Sequence, residues 1–532
     1  MVSTFHGLEV AKRGLYAQQS ALYTTGHNIS NANTEGYTRQ RVNFEQTGPF
    51  PPASRNRPEI PGQVGSGVMA GAIERVREKF LDAQYRGEQN KVGYWETMAD
   101  SIGKMEEIMN EPSEHGLSNT MDSFWQSLQD LASNPDEGAR SVVVERGIAV
   151  AETFNYLSTS LKGVQSDLQH ELDVTVTDVN STLNQIDELN KKIAAIEPHG
   201  YLPNDLYDAR DRLVDKLSGM MDIEVQYDGK EQADQMGQAS IVMINGGERH
   251  TLIDPSEQNV EDRVKQIHID YPTVDGQKVM GTMTVGGEVN DDGTLVAGTG
   301  TTVSDFQSQG KLLALKETLG YTDGSGNLKG EYPKMLGNLD KMAYAFAKEF
   351  NDVHRSGASL KDIEAGSITP ISFFVSGADD LTSEGMDYTG LAGSLEVNQL
   401  IQEDSNYIAA AEVDPDTGEA FSGNGENALN LANVKDATLS DLGNNATVKT
   451  YYEGVIGKMA VASQEAQRMN HNSLTLRQSV DERRQSVSAV SLDEEMTNMI
   501  KFQHAYNASA RNITAVDEMI DRIINQMGLV GR

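Results

Sequence analysis

Both ends of the chain carry an apolar residue at every seventh position. Toward the C-terminus these are Leu492, Met499, Tyr506, Ile513, Ile520 and Met527, with Met496, Phe502, Ala510, Val516 and Ile523 interleaved at threes and fours. Toward the N-terminus they are Leu8, Leu15, Leu22 and Ile29. A heptad with a second apolar set makes a narrow seam that two helices can share. One such helix would be an ordinary amphipathic element on a core. Two, at opposite termini, favour a pair that closes the chain on itself or on its neighbours. Isolated helices of this kind are marginal in water, so both ends are expected to fluctuate in the free subunit and become helical in the assembly. Ser491 with Glu494 reads as a capping box at the start of the C-terminal helix.

Between the seams the pattern changes several times. Asn28 to Tyr37 is rich in Asn, Ser, Thr and Gly, which favour turns. Thr38 to Phe44 alternates as a short strand, and Gly48 to Gly67 is a Pro- and Gly-rich connector. Helical patterns follow from Ile73 to Asn110, where Pro112 stops the first, and from Leu117 to Leu131. A third runs from about Ala139 to Glu197, with Leu157, Leu161, Val164, Leu168, Leu172, Val179, Leu183, Ile186 and Ile193 on one face. At the helical rise it would be on the order of 90 Å long. Pro198 and Gly200 end it. Alternating segments at 223–227, 240–251 and 264–271, with turns at Gly246-Gly247 and Asn290 to Gly293, indicate a β-rich insertion. Helices return at 305–353, broken at 323–327, and again from Ala428 to about Arg484.

The expected fold is multidomain and mainly α: terminal coiled-coil-like helices, a long helical bundle and a β-rich inserted outer part. The expected divisions are 1–35 with 490–532 as a terminal helical domain and axial core, and 36–225 with 305–358 and 424–489 as the long-helix bundle. Residues 226–304 with 359–423 form the β-rich acidic outer region.

Charge narrows the functional classes. The formal net charge is -35, which argues against nucleic acid or an anionic membrane as partner, since both select basic patches. Residues 226–430 hold 34 acidic and 13 basic side chains, and 359–430 hold 14 acidic and only Lys361 basic, so the middle is expected to face solvent. The chain has no cysteine, which excludes disulfides and thiolate chemistry. No phosphate loop, dinucleotide fingerprint, HExxH or GxSxG is present, so neither a cofactor nor a catalytic set is indicated. The ten histidines are scattered without ligand spacing. Asp323 to Asn327 and Asp414 to Gly418 read as turns before cation sites. Glu9, Lys12 and Arg13 interrupt what a signal peptide would keep apolar.

The ends also resemble a known family. Asn28-Ile-Ser-Asn-Ala-Asn-Thr-Glu-Gly-Tyr-Thr-Arg-Gln40 resembles the N-terminal signature of bacterial flagellar axial proteins, on Asn31, Asn33, Thr34, Gly36, Tyr37, Arg39 and Gln40. Ser491 to Ala510 resembles their C-terminal signature. Length, the long helices and Tyr344 to Gly357 narrow the resemblance to the first junction subunits between hook and filament. It implies a structural subunit with no catalysis, required for filament assembly and located outside the cell on the flagellum. It implies export unfolded through the type III apparatus without a cleaved signal peptide. It also implies a homo-oligomeric ring, the hook protein and the second junction protein as partners, and a cytoplasmic export chaperone on the C-terminal helix. The ten heptad residues from Leu8 to Met527 would be subunit-packing positions. The alternatives are another axial subunit (rod, hook or second junction protein) or a secreted enzyme or adhesin housed in residues 226–430.

Overall fold

The computed structural model describes residues 4–526 except 52–54, 56–61, 110–112, 114–115, 229–235, 258, 289–294, 297, 304, 324, 378, 382–385, 415, 417–418 and 444–445. Met527, Pro112, Asn290 to Gly293 and parts of the turns at 323–327 and 414–418 lie outside the described residues. In chain order the main elements are α1 (Thr4–Ser30), β1 (Gln40–Gln46), β2 (Val68–Arg75), α2 (Lys79–Met109), α3 (Leu117–Ser133), α4 (Glu137–Ile196) and α5 (Asn204–Met220). Then come β3 (Ile223–Tyr227), β4 (Ala239–Asn245), β5 (Glu248–Ile253), β6 (Ile267–Ile269), β7 (Met283–Val285) and β8 (Thr301–Val303). The chain closes with α6 (Lys311–Leu319), α7 (Glu331–Ser356), α8 (Glu426–Asn433), α9 (Val448–Ser488) and α10 (Leu492–Asp521).

The chain forms two compact units. One comprises Met1–Asn90, Val179–Gln266 and Leu474–Arg532, and the other Lys91–Asp178 and Ile267–Ser473. In the first unit, β1 and β2 pair antiparallel from Gln40↔Arg75 to Gln46↔Val68, with an irregularity between Val42 and Phe44. This corrects the helix expected from Ile73. Val68 to Arg75 is a strand because β1 offers it a ladder, and α2 starts only at Lys79. A second antiparallel sheet has the order β3-β4-β5, with Ile223 opposite Met243.

The second unit is built on α3, α7 and the first part of α4. Phe124, Trp125, Phe346, Phe350, Phe373 and Phe374 form one aromatic cluster, with Phe124 and Phe350 5.3 Å apart between ring centroids. Such rings bury large apolar areas and dominate a core. Asn351 anchors the loop that brings two of them in. Its Oδ1 accepts from the Phe373 and Phe374 amides, and its Nδ2 donates to the Phe374 and Asp380 carbonyls. His354 does the same one turn on. The Ala409 amide donates to its Nε2 at 3.0 Å, so Nδ1 carries the proton and donates to the Ile371 carbonyl at 2.7 Å. Strands β8, β7 and β6 form a small antiparallel sheet. Among the described acidic residues of 359–430, Asp362 is buried and Asp404 half-buried, and the rest are exposed. Asp362 is buried because it closes a capping box with Ser359.

The apolar face read along α4 is buried except Val164, which is half-buried. Helix α5 was not apparent from periodicity. Its buried face includes Tyr207, Asp208, Arg210, Asp211, Val214, Leu217 and Ser218, charged where an apolar stripe would be expected. Among the described residues no helix is long and apolar enough to cross a membrane.

Candidate assembly site

The two ends meet. A Cβ built on Gly7 would stand 3.7 Å from Val516, and one on Gly14 3.2 Å from Ser509. The rising number on α1 against the falling number on α10 makes the pair antiparallel. Each marginal end therefore finds its partner in the other. The deepest line on α1 is not the leucine heptad but Ala11, Ala17, Ala21, Thr24, Thr25 and Asn28, all buried. Where α1 meets α10 at Gly7 and Gly14, the missing side chains let the helix axes approach closely. Leu8, Leu15, Leu22 and Ile29 flank this line and are half-buried. On α10, Met499, Phe502, Tyr506, Ser509, Ile513, Val516 and Ile520 are half-buried at intervals of three and four. Phe502 meets Phe44 of β1 edge to face at 6.0 Å. Leu492, Met496, Ile500, Met519 and Ile523 are exposed.

The signature turn connects this pair to the rest of its unit. Asn28 Oδ1 accepts from the Tyr37 hydroxyl at 2.8 Å and the Gln40 amide at 3.0 Å, while Asn28 Nδ2 donates to the Gln40 carbonyl at 2.8 Å. One side chain thus serves Gln40 as a neighbouring strand would. Asn31 Nδ2 donates to the His27 carbonyl, and Thr34 Oγ1 donates to Asn31 Oδ1, which closes the end of α1. Gly36 has φ 73° and a Cβ there would collide with Arg212. Arg212 donates to the Glu35 carbonyl at 3.0 Å. Asn33 is exposed. The Thr38 amide donates to Asp208, and Gln40 Nε2 donates to Asp205 at 3.0 Å.

Arg39 reaches across most of the sequence to the start of α10. Its Nε donates to Glu495 at 2.7 Å, and its two terminal nitrogens grip both oxygens of Glu494 at 3.0 and 2.8 Å. The capping box expected from Ser491 and Glu494 is therefore absent. Ser491 occupies the N-cap position with no side-chain cap bond, and the Glu494 carboxylate is held by Arg39 instead.

Beneath the turn, α5 presents Asp208, Asp211 and Asp215 to a set of arginines. Arg75 reaches Asp208 at 2.7 Å and Asp211 at 2.9 Å. Arg77 reaches Asp82 at 2.6 Å and Asp211 at 2.9 Å. Arg86 and Arg484 each reach Asp215 at 2.7 Å, and Arg484 also lies over the Tyr85 ring. Burial pushes the Asp211 carboxyl up, but Arg77, Arg75 and Arg86 together hold it well below the usual carboxylate range. Asp208 goes the other way, because burial outweighs Arg75. A cleft of about 630 Å³ lies between residues 32–38, α5 and the end of α9. Each of these guanidiniums faces a carboxylate, so the arrangement suits fixed structural ion pairs rather than proton transfer. Among the described residues, no group of three or more His, Cys, Asp or Glu side chains could hold a metal ion. The sequence did carry a signal for α5: Asp208, Asp211 and Asp215 recur at helical spacing.

Three family models match the chain. Residues 102–368 match the flagellar hook-associated protein FlgK helical domain, 483–527 the flagellar basal body rod FlgEFG protein C-terminal model, and 8–38 the flagella basal body rod protein model. The chain is 44% identical to flagellar hook-associated protein 1 of Bacillus subtilis (strain 168), covering 100% of both chains. It is 25% identical to the protein of that name from Salmonella typhimurium, over 97% of this chain and 98% of the other. The flagellar hook junction protein FlgK from Burkholderia pseudomallei shares the fold, with a TM-score of 0.56 at 14% identity over 77% of this chain and 100% of that one.

Proposed function

The chain belongs to the flagellar hook-associated protein 1 family, and we propose from that premise that its two ends are the part that assembles. It is a structural subunit of the bacterial flagellum at the junction between hook and filament. It associates with hook and other flagellar proteins. In our reading, copies form a ring between the hook protein and the second junction protein. They arrive outside the cell unfolded through the type III apparatus, after a cytoplasmic chaperone has covered the C-terminal helix.

One observation carries the assignment of assembly to the ends. The stretches matching rod-protein models, 8–38 and 483–527, take in most of α1, the signature turn and all of α10, the elements that close on each other. The stretches that resemble rod proteins are thus the ones that form the closed pair in this chain. Leu8, Leu15, Leu22, Ile29, Met499, Tyr506, Ile513 and Ile520 then pack within the pair and at its edges. Leu492, Met496 and Ile500 form an outer stripe for a neighbouring copy. Covering Ile500 there would contribute about 2 kcal/mol per subunit, and a carboxylate in its place would cost several.

The test is expression in a Bacillus subtilis strain lacking its own hook-associated protein 1, with electron microscopy of the flagella. The unmodified chain should restore filaments on hooks. Ile500→Asp should leave hooks bare while the purified chain stays folded. Bare hooks with the unmodified chain would sink the functional reading, and normal filaments with Ile500→Asp would sink the packing claim alone.

A further inference from the structure

Helices α9 and α10 are interrupted at Ala489 to Ser491, and one residue from the far end of the chain bridges the break. The Arg39 amide donates to the Ser488 carbonyl at 2.9 Å, in the last turn of α9, and the Arg39 carbonyl accepts from the Val76 amide at 2.8 Å. Its side chain grips Glu494 and Glu495, in the first turn of α10. Backbone and side chain of Arg39 thus hold both sides of the interruption at once.

The first turn of α10 has three consecutive acids, Asp493, Glu494 and Glu495. Carboxylates favour a helix start, but three in a row repel one another, and Glu495 is only 2% exposed. A carboxylate is not buried without a partner, and the partner in place is Arg39. Burial of Glu495 and docking of Arg39 are therefore one event. Arg39 is itself presented by the signature turn, which α5 holds through Asp208 and Arg212.

We propose that Arg39 is a clasp that makes the ordering of α10 conditional on docking of the N-terminal segment. Ser491 and Glu494 form no local box, and the Glu494 carboxylate is held from the other terminus instead. A subunit whose signature turn is undocked leaves α10 released. Arg39 is a positioning residue: it acts on α10 through Glu494 and Glu495.

Hydrogen exchange on the full-length chain, read by peptide mass, tests this. Arg39→Ala should speed exchange across 492–521 roughly ten- to a hundredfold, the range expected for losing hydrogen bonds to charged groups, with α3 and α7 unchanged. Arg39→Lys keeps the charge without the fork and should fall between. Arg39→Glu should behave as Arg39→Ala or worse, and adding Glu494→Arg should recover part of the protection, because Glu495 still faces a carboxylate. A packing role alone would make that double variant worse than either single one. The proposal is overturned if Arg39→Ala stays within about twofold of wild type, if the charge swap recovers nothing over Arg39→Glu, or if wild-type α10 exchanges like unstructured chain.

Discussion

Asp211→Ala probes the ion-pair platform under the signature turn. Asp211 is 2% exposed and takes Arg75 and Arg77, each at 2.9 Å, Arg86 at 3.5 Å and the Tyr227 hydroxyl at 3.1 Å. Removing it leaves three part-buried guanidiniums short of one partner each. Arg75 keeps Asp208, Arg77 keeps Asp82 and Arg86 keeps Asp215, so none is stranded outright. Breaking a buried ion pair costs about 3–5 kcal/mol, and the retained partners favour the lower end. A loss of about 3 kcal/mol corresponds to roughly a hundredfold faster exchange at protected amides. Amide exchange in residues 204–220 is the assay. Both tryptophans, Trp95 and Trp125, lie in the other unit, so their fluorescence in urea serves as an internal control and should not move. Asp211→Asn, which keeps an acceptor oxygen, should cost less. The pH dependence has a definite sign. The folded carboxyl lies below its unfolded value, so the unfolded chain binds the proton first. The stabilisation is fully present above the unfolded range near pH 4 and is lost as pH falls below it. Exchange in 204–220 changed by less than tenfold in Asp211→Ala would refute the platform argument.

In the second unit, burial holds His354 down to about 4, against the Ile371 carbonyl bond and Asp362, which raise it. The unfolded chain takes up the proton from about pH 6.5, so the urea midpoint read by tryptophan fluorescence should fall steadily from pH 6.5 toward 4. A flat midpoint over that window would contradict the assigned neutral imidazole. Two Ser-to-Ala changes should separate by mechanism. Ser359→Ala breaks a formed capping box and should cost about 1 kcal/mol, whereas Ser491→Ala, which removes no cap bond, should cost only a few tenths. Equal costs, measured by local exchange at 360–365 and 492–497, would count against this reading of the two caps.

The sequence by itself determined which faces are apolar and where the backbone must turn. Periodicity places α3, α4 and α7 to within a few residues, because each buries a face repeated at 3.6. The one helical stretch expected from Ala428 to Arg484 is instead broken into α8 and α9, with α9 starting only at Val448. The heptads marked both termini, and the Asn-, Ser-, Thr- and Gly-rich run from Asn28 to Tyr37 marked the turn after α1. Partners were a different matter. The leucine heptad of α1 suggested the seam, yet the close approaches to α10 are at Gly7 and Gly14, and the deepest burial on α1 is at Ala17 and Ala21. Ile73 to Arg75 reads as the start of a helix, and pairing with β1 makes it the end of a strand. Ser491 and Glu494 have the same Ser-x-x-acid pattern as Ser359 and Asp362, but one box forms and the other does not. A guanidinium 455 positions away in sequence, on Arg39, takes the Glu494 carboxylate. Helix α5 escaped periodicity for the same reason: its buried face is charged, and charge is tolerated inside only where arginines from β2, α2 and α9 arrive to meet it. Local sequence records each segment's preferences. Which charge meets which is decided by the tertiary structure, because a buried ion pair draws its two halves from anywhere in the chain.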